Sequence, residues 1–291
     1  MVDWRPIRER KLMPLAWDTL DPTTLDIRLV AADMDGTLLT AAGQLPADFL
    51  ELLGQLAARG VTFVPASGRQ YHSLRRVFAA SPVPLSYIGE NGSIVVHAGQ
   101  TVSTTTVSAA VVTQVIDLVR AATPADTQLD LVFCGARSAY IERDDEAFRG
   151  ETNKYYTRLE VVEDLKAVTD QALKLAVYDS AGRANLTRAL FAPVAHTNQV
   201  VVSGAHWIDI MDPHVSKGQA LSRLQALLGV TSAQTMAFGD YFNDVEMLQA
   251  ADYSFAVANA HPTVAASARY RAPSNDDDGV GKVLRRLLLA G

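Results

Sequence analysis

The sequence predicts an α/β protein: a parallel sheet covered by helices on both faces and interrupted by an inserted α+β unit. Three observations predict this. From residue 27 to residue 92, short apolar runs ending in polar turns alternate with segments of helical spacing, the pattern of a parallel sheet. Between residues 93 and 212 the texture changes to polar and β-branched runs around single glycines, which implies hairpins and antiparallel pairing. After Pro213 the alternation of helix and buried strand resumes.

The elements follow in order. "IRLVAAD" is a short apolar run stopped by a turn, a strand buried on both faces. "PADFLELLGQLAARG" is a helix: Phe49, Leu50, Leu53, Leu56 and Ala57 keep helical spacing, Pro46 suits the first turn and Gly60 the C-terminal cap. "VTFVPAS" is a second buried strand, "GRQYHSLRRVFAA" a helix headed by Ser67, and "PLSYIGENG" a third strand ending in a Gly/Asn turn. "SIVVHAGQTVSTTTV" reads as a hairpin about Gly99 and "LDLVFCGARSAYIE" as another about Gly135. "ALKLAVYDS" supplies a strand, "AGRANLTRALFA" a helix and "QVVVSGAHWIDIM" a last hairpin about Gly204. "SKGQALSRLQALLG" is a helix with Ser216 as N-cap and Gly229 beyond its end. "TMAFGD" and "YSFAVA" are strands, "YFNDVEMLQAA" and "GVGKVLRRLLLAG" helices, and "SNDDDG" a short acidic loop.

This order divides the chain into an N-terminal extension (1–26), a discontinuous core domain (27–92 and 213–291) and an inserted domain (93–212). Hydrophobic residues make up 48% of the 291 and charged residues 20%, ordinary for a globular chain with ample core material. A net charge of −6 argues against a nucleic-acid binder, which needs a basic face. The single cysteine, Cys134, excludes a disulfide framework within this chain, reads as a small buried residue and fits the reducing cytoplasm. No apolar run is long enough to span a bilayer, and "LMPLAW" is too short and broken for a signal peptide. The six histidines share no metal-binding spacing.

Ligands of an open parallel sheet bind beyond the carboxyl ends of its strands. There the first strand places Asp33 and Asp35 with Gly36, the second places Ser67 with Gly68 and Arg69, and "TMAFGD" leads into Gly239, Asp240, Asn243 and Asp244. Four carboxylates and two neutral polar groups on one edge need a cation, and an all-oxygen set suits Mg²⁺. "DMDG" does not fit a calcium loop, because the glycine of that loop is at position six. Lys217 falls in a first helical turn, where the helix dipole disfavours a cation, so an anion beside it would remove a conflict. A metal, an anion site and a free carboxylate together describe phosphoryl transfer. Arg69 either reaches substrate or lies on the surface, and Asn91 is a substrate contact or only a turn residue.

"DMDGT", Ser67, Lys217 and "GDYFND" resemble, in order, the four motifs of the haloacid dehalogenase superfamily of phosphohydrolases. "IGENGSIVV", "VSKGQAL" and the inserted unit between them resemble the Cof-like branch with a type IIB cap. The resemblance covers residues 27–291 and implies a Rossmann-like core with an α+β cap. It also implies a Mg²⁺-dependent phosphatase of small phosphorylated metabolites. Asp33 would be the nucleophile and Asp35 the general acid and base, its main-chain carbonyl touching the metal. Ser67 and Lys217 would hold the phosphoryl group. Asp240 would ligate Mg²⁺, with Asp244 and Asn243 completing the surroundings. Gly36, Gly68, Arg69 and Asn91 are the remaining candidate substrate contacts, and Arg137, Lys154 and Tyr155 are candidates from the cap. A phosphosugar mutase and a non-catalytic phospho-ligand binding protein are the alternatives.

Overall fold

The structure is a computed structural model that describes residues 14–122 and 129–289. Its first half supplies β1 (Leu15–Ala16), β2 (Leu29–Asp33), helix α1 (Phe49–Ala58), β3 (Thr62–Ala66), α2 (Tyr71–Val77), β4 (Tyr87–Gly89), β5 (Ile94–His97) and β6 (Gln100–Thr104). The middle supplies α3 (Ala109–Ala122), β7 (Leu129–Gly135), β8 (Ala139–Ile141), α4 (Glu146–Thr152), β9 (Leu159–Val161), β10 (Ala172–Asp179), α5 (Ala184–Thr187), β11 (Gln199–Val202) and β12 (Trp207–Met211). The last part supplies α6 (Lys217–Leu228), β13 (Thr235–Gly239), α7 (Val245–Gln249), β14 (Tyr253–Ala256), α8 (Pro262–Ala265), β15 (Tyr270–Arg271) and α9 (Gly279–Leu284).

Among the described residues these strands make two sheets. The core sheet runs β1-β15-β14-β13-β2-β3-β4-β5-β6 and the cap sheet β11-β12-β10-β7-β8-β9. From β1 to β4 the core sheet is parallel. This is the α/β class the alternation predicts, with a second sheet as a cap. β2 is central and buried throughout. Val30 and Ala32 face the layer of α1 and α9, and Leu29 and Ala31 face the layer of α6, α7 and α8. Covering both faces explains why β2 reads as a continuous apolar run rather than an alternating one.

Four findings correct the expectations. Ile94–Thr104, assigned above to the inserted domain from residue 93, extends the core sheet instead: β5 lies antiparallel to β4 (Tyr87↔Val96, Ile88↔Val95) and β6 to β5. Only four residues separate β4 from β5, too few to carry the chain to another domain, so the hairpin stays beside β4. Second, Leu15 and Ala16, placed above in an extension outside the fold, pair in parallel with Tyr270 and Arg271, and Trp17, Leu20 and Leu25 pack on the core. Residues 1–13 of that extension lie outside the described residues. Third, α3 occupies a stretch to which the pattern reading gives no helix. Its valines, isoleucine and threonine favour strands in isolation, yet Val112, Val115, Ile116 and Val119 form one helical stripe buried against the cap sheet. Fourth, α1 starts at Phe49 rather than near Pro46, and the closing helix ends at Leu284, with a π-helical turn over Arg285–Leu289.

The two sheets meet at a seam. The chain leaves the core after β6 and returns near Ser216, where the turn between β4 and β5 packs against it. Gly92 has φ +106°, and a Cβ there would lie 2.3 Å from the Ser216 carbonyl oxygen, so only glycine lets the β4–β5 turn pass the returning segment. Across the seam Gln70 exchanges two hydrogen bonds with the Arg158 main chain, donating to its carbonyl at 2.9 Å and accepting from its N–H at 3.0 Å. The Ser73 hydroxyl donates to the Tyr155 carbonyl at 2.8 Å.

Candidate active site

β2 delivers Asp33 to the carboxyl edge of the core sheet, where the chain turns at once. The N–H groups of Leu38 and Leu39 donate to the Met34 carbonyl, at 3.1 and 2.8 Å. Gly36 adopts φ +81°, and a Cβ on it would lie 2.7 Å from Asp240 Oδ2; the glycine after the two aspartates is therefore required by a neighbouring carboxylate as well as by the turn. Thr37 Oγ1 donates to Asp240 Oδ1 at 2.7 Å.

Lys217 opens α6, with Ser216 as its N-cap: the Ser216 hydroxyl accepts from the Gln219 N–H at 3.1 Å. The Lys217 side chain has no exposed surface. It contacts Asp33 Oδ1 and lies 2.7 Å from Asp244 Oδ1. Asp244 Oδ2 accepts the N–H groups of Asp240 and Tyr241 at 3.0 and 3.1 Å, so both its oxygens are engaged. Burial works against the Lys217 ammonium, but Asp244 and Asp33 outweigh it and hold its pKa above the ordinary lysine value. These carboxylates answer the helix-dipole conflict read from the sequence.

Asp33, Asp240 and Asp244 each offer a carboxylate oxygen within 4.8 Å of the others. Burial, then the Asp244 charge, push the Asp33 carboxyl well up against the opposing pull of Lys217. Burial likewise raises Asp240, with Thr37 opposing. Three crowded carboxylates against one ammonium leave a net negative pocket. The set is all oxygen and compact, so a hard divalent cation fits it.

Ser67 follows β3 beside Asp33 (Asp33↔Ala66 in register) and is buried. It does not head a helix, contrary to expectation: α2 starts at Tyr71, and Ser67 sits in the intervening loop, its hydroxyl accepting the Arg69 N–H at 3.2 Å. Proximity to Asp33, not a helix terminus, makes it a candidate. Asp35 stands apart from the carboxylate cluster. Its exposed side chain is forked by Arg69, at 2.8 Å from Nε and 2.5 Å from Nη2. Its carboxylate lies outside the cluster of Asp33, Asp240 and Asp244; the metal contact that the resemblance implies for Asp35 is through its main-chain carbonyl. Arg69 belongs to the site rather than to a remote surface. Asn91 is more than a turn residue: it takes φ +57°, its Oδ1 accepts from Asn243 Nδ2 at 3.0 Å, and it packs over Gly68.

The cap candidates divide. Tyr155 stands at the seam against Trp207, whereas Lys154 pairs with Glu151 and Arg137 with Asp170. Cys134 is buried, its thiol pushed up by burial, with Tyr156 as neighbour. Two further asparagines support the turn after Asp33: Asn259 escaped the sequence reading, and Asn275 was read only as part of the acidic loop. Asn259 Nδ2 donates to the Gly36 carbonyl at 2.7 Å, and Asn275 Nδ2 to the Leu39 carbonyl at 2.9 Å. The "SNDDDG" loop therefore ties down the turn that follows Asp33. Nothing in the spacing of these residues announces that contact.

A family profile of haloacid dehalogenase-like hydrolases matches residues 30–284. The chain is 33% identical to the 5-amino-6-(5-phospho-D-ribitylamino)uracil phosphatase YbjI of Escherichia coli over 91% of this chain and 97% of that one. It is 29% identical to the HMP-PP phosphatase of Cronobacter sakazakii over 82% and 87%. Among solved structures, a Streptococcus mutans protein superposes with a TM-score of 0.77 at 30% identity, over 91% of this chain and all of that one. A Eubacterium rectale protein gives 0.81 at 27% identity, over 90% and 99%. Among the described residues no helix is long and apolar enough to cross a membrane. With the motifs assembled at one sheet edge and more than four-fifths of the chain shared with each of two named phosphatases, the chain belongs to the haloacid dehalogenase-like hydrolases, in their Cof-like branch, and is a phosphatase.

Proposed function

We propose that the enzyme is a Mg²⁺-dependent phosphatase of small phosphorylated metabolites, sugar phosphates foremost, acting in the cytoplasm through an aspartyl-phosphate on Asp33. The observation that carries this reading is the Asp33 carboxylate, fixed at the end of β2 against a lysine without exposed surface. An anion attacks a phosphate ester only where positive charge offsets their repulsion. Lys217 supplies part of that charge. Asp33, Asp240 and Asp244 would hold the metal together with the Asp35 main-chain carbonyl, and a bound Mg²⁺ neutralises the phosphoryl oxygens.

Asp33 forms the bond to phosphorus as the ester oxygen leaves. Asp35 gives that oxygen a proton, then takes one from the water that hydrolyses the aspartyl-phosphate. Asp35 is free for this once Arg69 turns from it toward the bound ester. Ser67 and Lys217 hold the transferring group, with Gly36, Gly68, Asn91 and Asn243 around it. The cap, taken as residues 107–212, closes over the leaving group and excludes water. The substrate named for YbjI carries its phosphate on a ribityl chain, which supports a polyol-like carrier here.

A screen of phosphorylated metabolites with Mg²⁺, reading free phosphate, tests the proposal. Asp33→Asn is expected to lower turnover more than about 10³-fold with the melting temperature kept. An isomeric sugar phosphate without free phosphate would mark a mutase instead, and binding without turnover a binding protein. Near-normal hydrolysis by Asp33→Asn would remove the covalent mechanism.

A further inference from the structure

The costliest stretch of backbone among the described residues lies outside the four motifs. Glu90 and Asn91, between β4 and Gly92, both adopt left-handed conformations, φ +48° and +57°. Each such non-glycine residue costs of order 1–3 kcal/mol and persists only where its surroundings impose it. Glu90 is also 1% exposed, and burial raises its pKa against the opposing pull of Lys174. A buried carboxylate in a strained turn is expensive, so the fold must obtain something from it.

Its contacts show what. Lys174 Nζ lies 3.0 Å from Glu90 Oε2, and the Glu90 oxygens have no other hydrogen-bond partner among the described residues. Lys174 is 5% exposed and comes from β10, in the centre of the cap sheet. Its ammonium also lies 3.6 Å from Asp209 Oδ2 of β12 and 3.5 Å from the Gly68 carbonyl. One lysine and one aspartate thus come from the cap, and one glutamate and one carbonyl from the core. The arrangement exists only while the cap is seated.

The same turn holds the reacting loops. The Glu90 N–H donates to the Arg69 carbonyl at 3.0 Å and the Asn91 N–H to the Ser67 carbonyl at 2.9 Å. Asn91 Oδ1 accepts from Asn243 in the loop between Asp240 and Asp244. The Glu90–Asn91 turn therefore touches the Ser67–Arg69 loop, the Asn243 loop and the cap at once.

We propose that Glu90 and Lys174 are a docking pair through which the seated cap positions the Ser67–Arg69 and Asn243 loops for phosphoryl transfer. Neither residue reaches the reacting atoms; both are positioning residues. With the cap raised, Glu90 loses its counter-ion, and the strained turn loses the contact that sustains it. The loops then relax, and the site is assembled only under a closed cap. The inference rests on the phosphatase reading above for the reaction it serves, but not for the docking itself.

The test is a double-mutant cycle on the full chain with Mg²⁺, using Glu90→Gln, Lys174→Met and both together. Each single variant is expected to lower kcat at least about tenfold, with Lys174→Met the larger effect because it leaves two buried acids. The double variant is expected to fall no further than Lys174→Met alone, as residues acting through one contact do. A second readout follows the cap itself. Spin labels on Leu186→Cys in the cap and Leu227→Cys in α6, both exposed positions, report the cap–core distance, and buried Cys134 is shielded from labelling. Adding inorganic phosphate with Mg²⁺ is expected to narrow the distance distribution in the otherwise unaltered chain and to leave it broad in Lys174→Met. Unchanged kcat in both single variants, additive losses in the double, or the same narrow distribution with and without Lys174 would each overturn the proposal. If the unaltered chain releases no phosphate from any ester, the phosphatase reading fails, and the label distances still decide the docking pair.

Discussion

Two buried lysines, each between two carboxylates, do different work in this molecule. Lys217 meets Asp33 and Asp244, and all three stand on elements of the core sheet and its helices. Lys174 meets Glu90 and Asp209, whose elements belong to different sheets. In both, burial opposes the ammonium and the paired acids outweigh it. The first cluster is fixed whatever the cap does. The second can be hydrated by moving one domain. A buried ion pair within a domain is a permanent cost offset by permanent partners; the same pair across a seam is a condition on closure.

The largest expected effect breaks the first cluster. Lys217→Met leaves the buried Asp33 and Asp244 carboxylates crowded beside the half-buried Asp240 without their ammonium. It is expected to cost about 3–5 kcal/mol in urea unfolding, the usual cost of orphaning a buried charge, and to eliminate turnover. Lys174→Met, whose acids rehydrate when the cap lifts, is expected to cost clearly less in the same measurement. Equal losses would refute the distinction drawn between the two lysines.

Metal linkage sharpens the comparison. Saturating Mg²⁺ is expected to raise stability by about 2.7 kcal/mol at a hundredfold excess over Kd. Calorimetry should show this gain in the unaltered chain and in Lys174→Met, and lose it in Asp240→Ala. A gain that survives Asp240→Ala would place the metal elsewhere.

The smallest effect belongs to a cap acid that lacks the two-sided pairing of either cluster. Burial pushes the Asp130 carboxyl up to about 6, with Arg143 opposing. A folded-state pKa above the unfolded value means that the native state holds the extra proton. Stability from this group is therefore full below about pH 4 and is lost as pH rises through about 6. Asp130→Asn is expected to raise the melting temperature of the chain more at pH 8 than at pH 5. A gain independent of pH would assign the effect to packing.

Much of this was legible in the sequence, for reasons that differ by residue. β2, β3 and β13 announce themselves because strands buried on both faces are short apolar runs, and their ends locate Asp33, Ser67 and Asp240. Lys217 was legible because a lysine in a first helical turn is a local contradiction that asks for an anion. The strand-like composition of α3 hid it, and only tertiary burial makes its stripe helical. The hairpin of β5 and β6 was recognised but given to the wrong unit, since pairing partners are not written in local pattern. Glu90, Lys174, Asn259 and Asn275 each act through a contact made by the fold, so neither spacing nor residue type marks them. The Arg69 fork on Asp35 was missed for the same reason: Asp35 was read toward the leaving group and Arg69 either toward substrate or as a surface residue, and neither toward the other.

The separation of Asp33 from Lys217 has a consequence for synthesis. The two touch across 184 residues of chain, which a ribosome takes roughly 10–40 s to make at 5–20 residues per second. For that interval β2 exists without β13, its neighbour on one side, and Asp33 exists without a counter-ion. No nascent chain shorter than residue 244 can hold the cluster. The Asp33 carboxylate is made well before the residues that surround it.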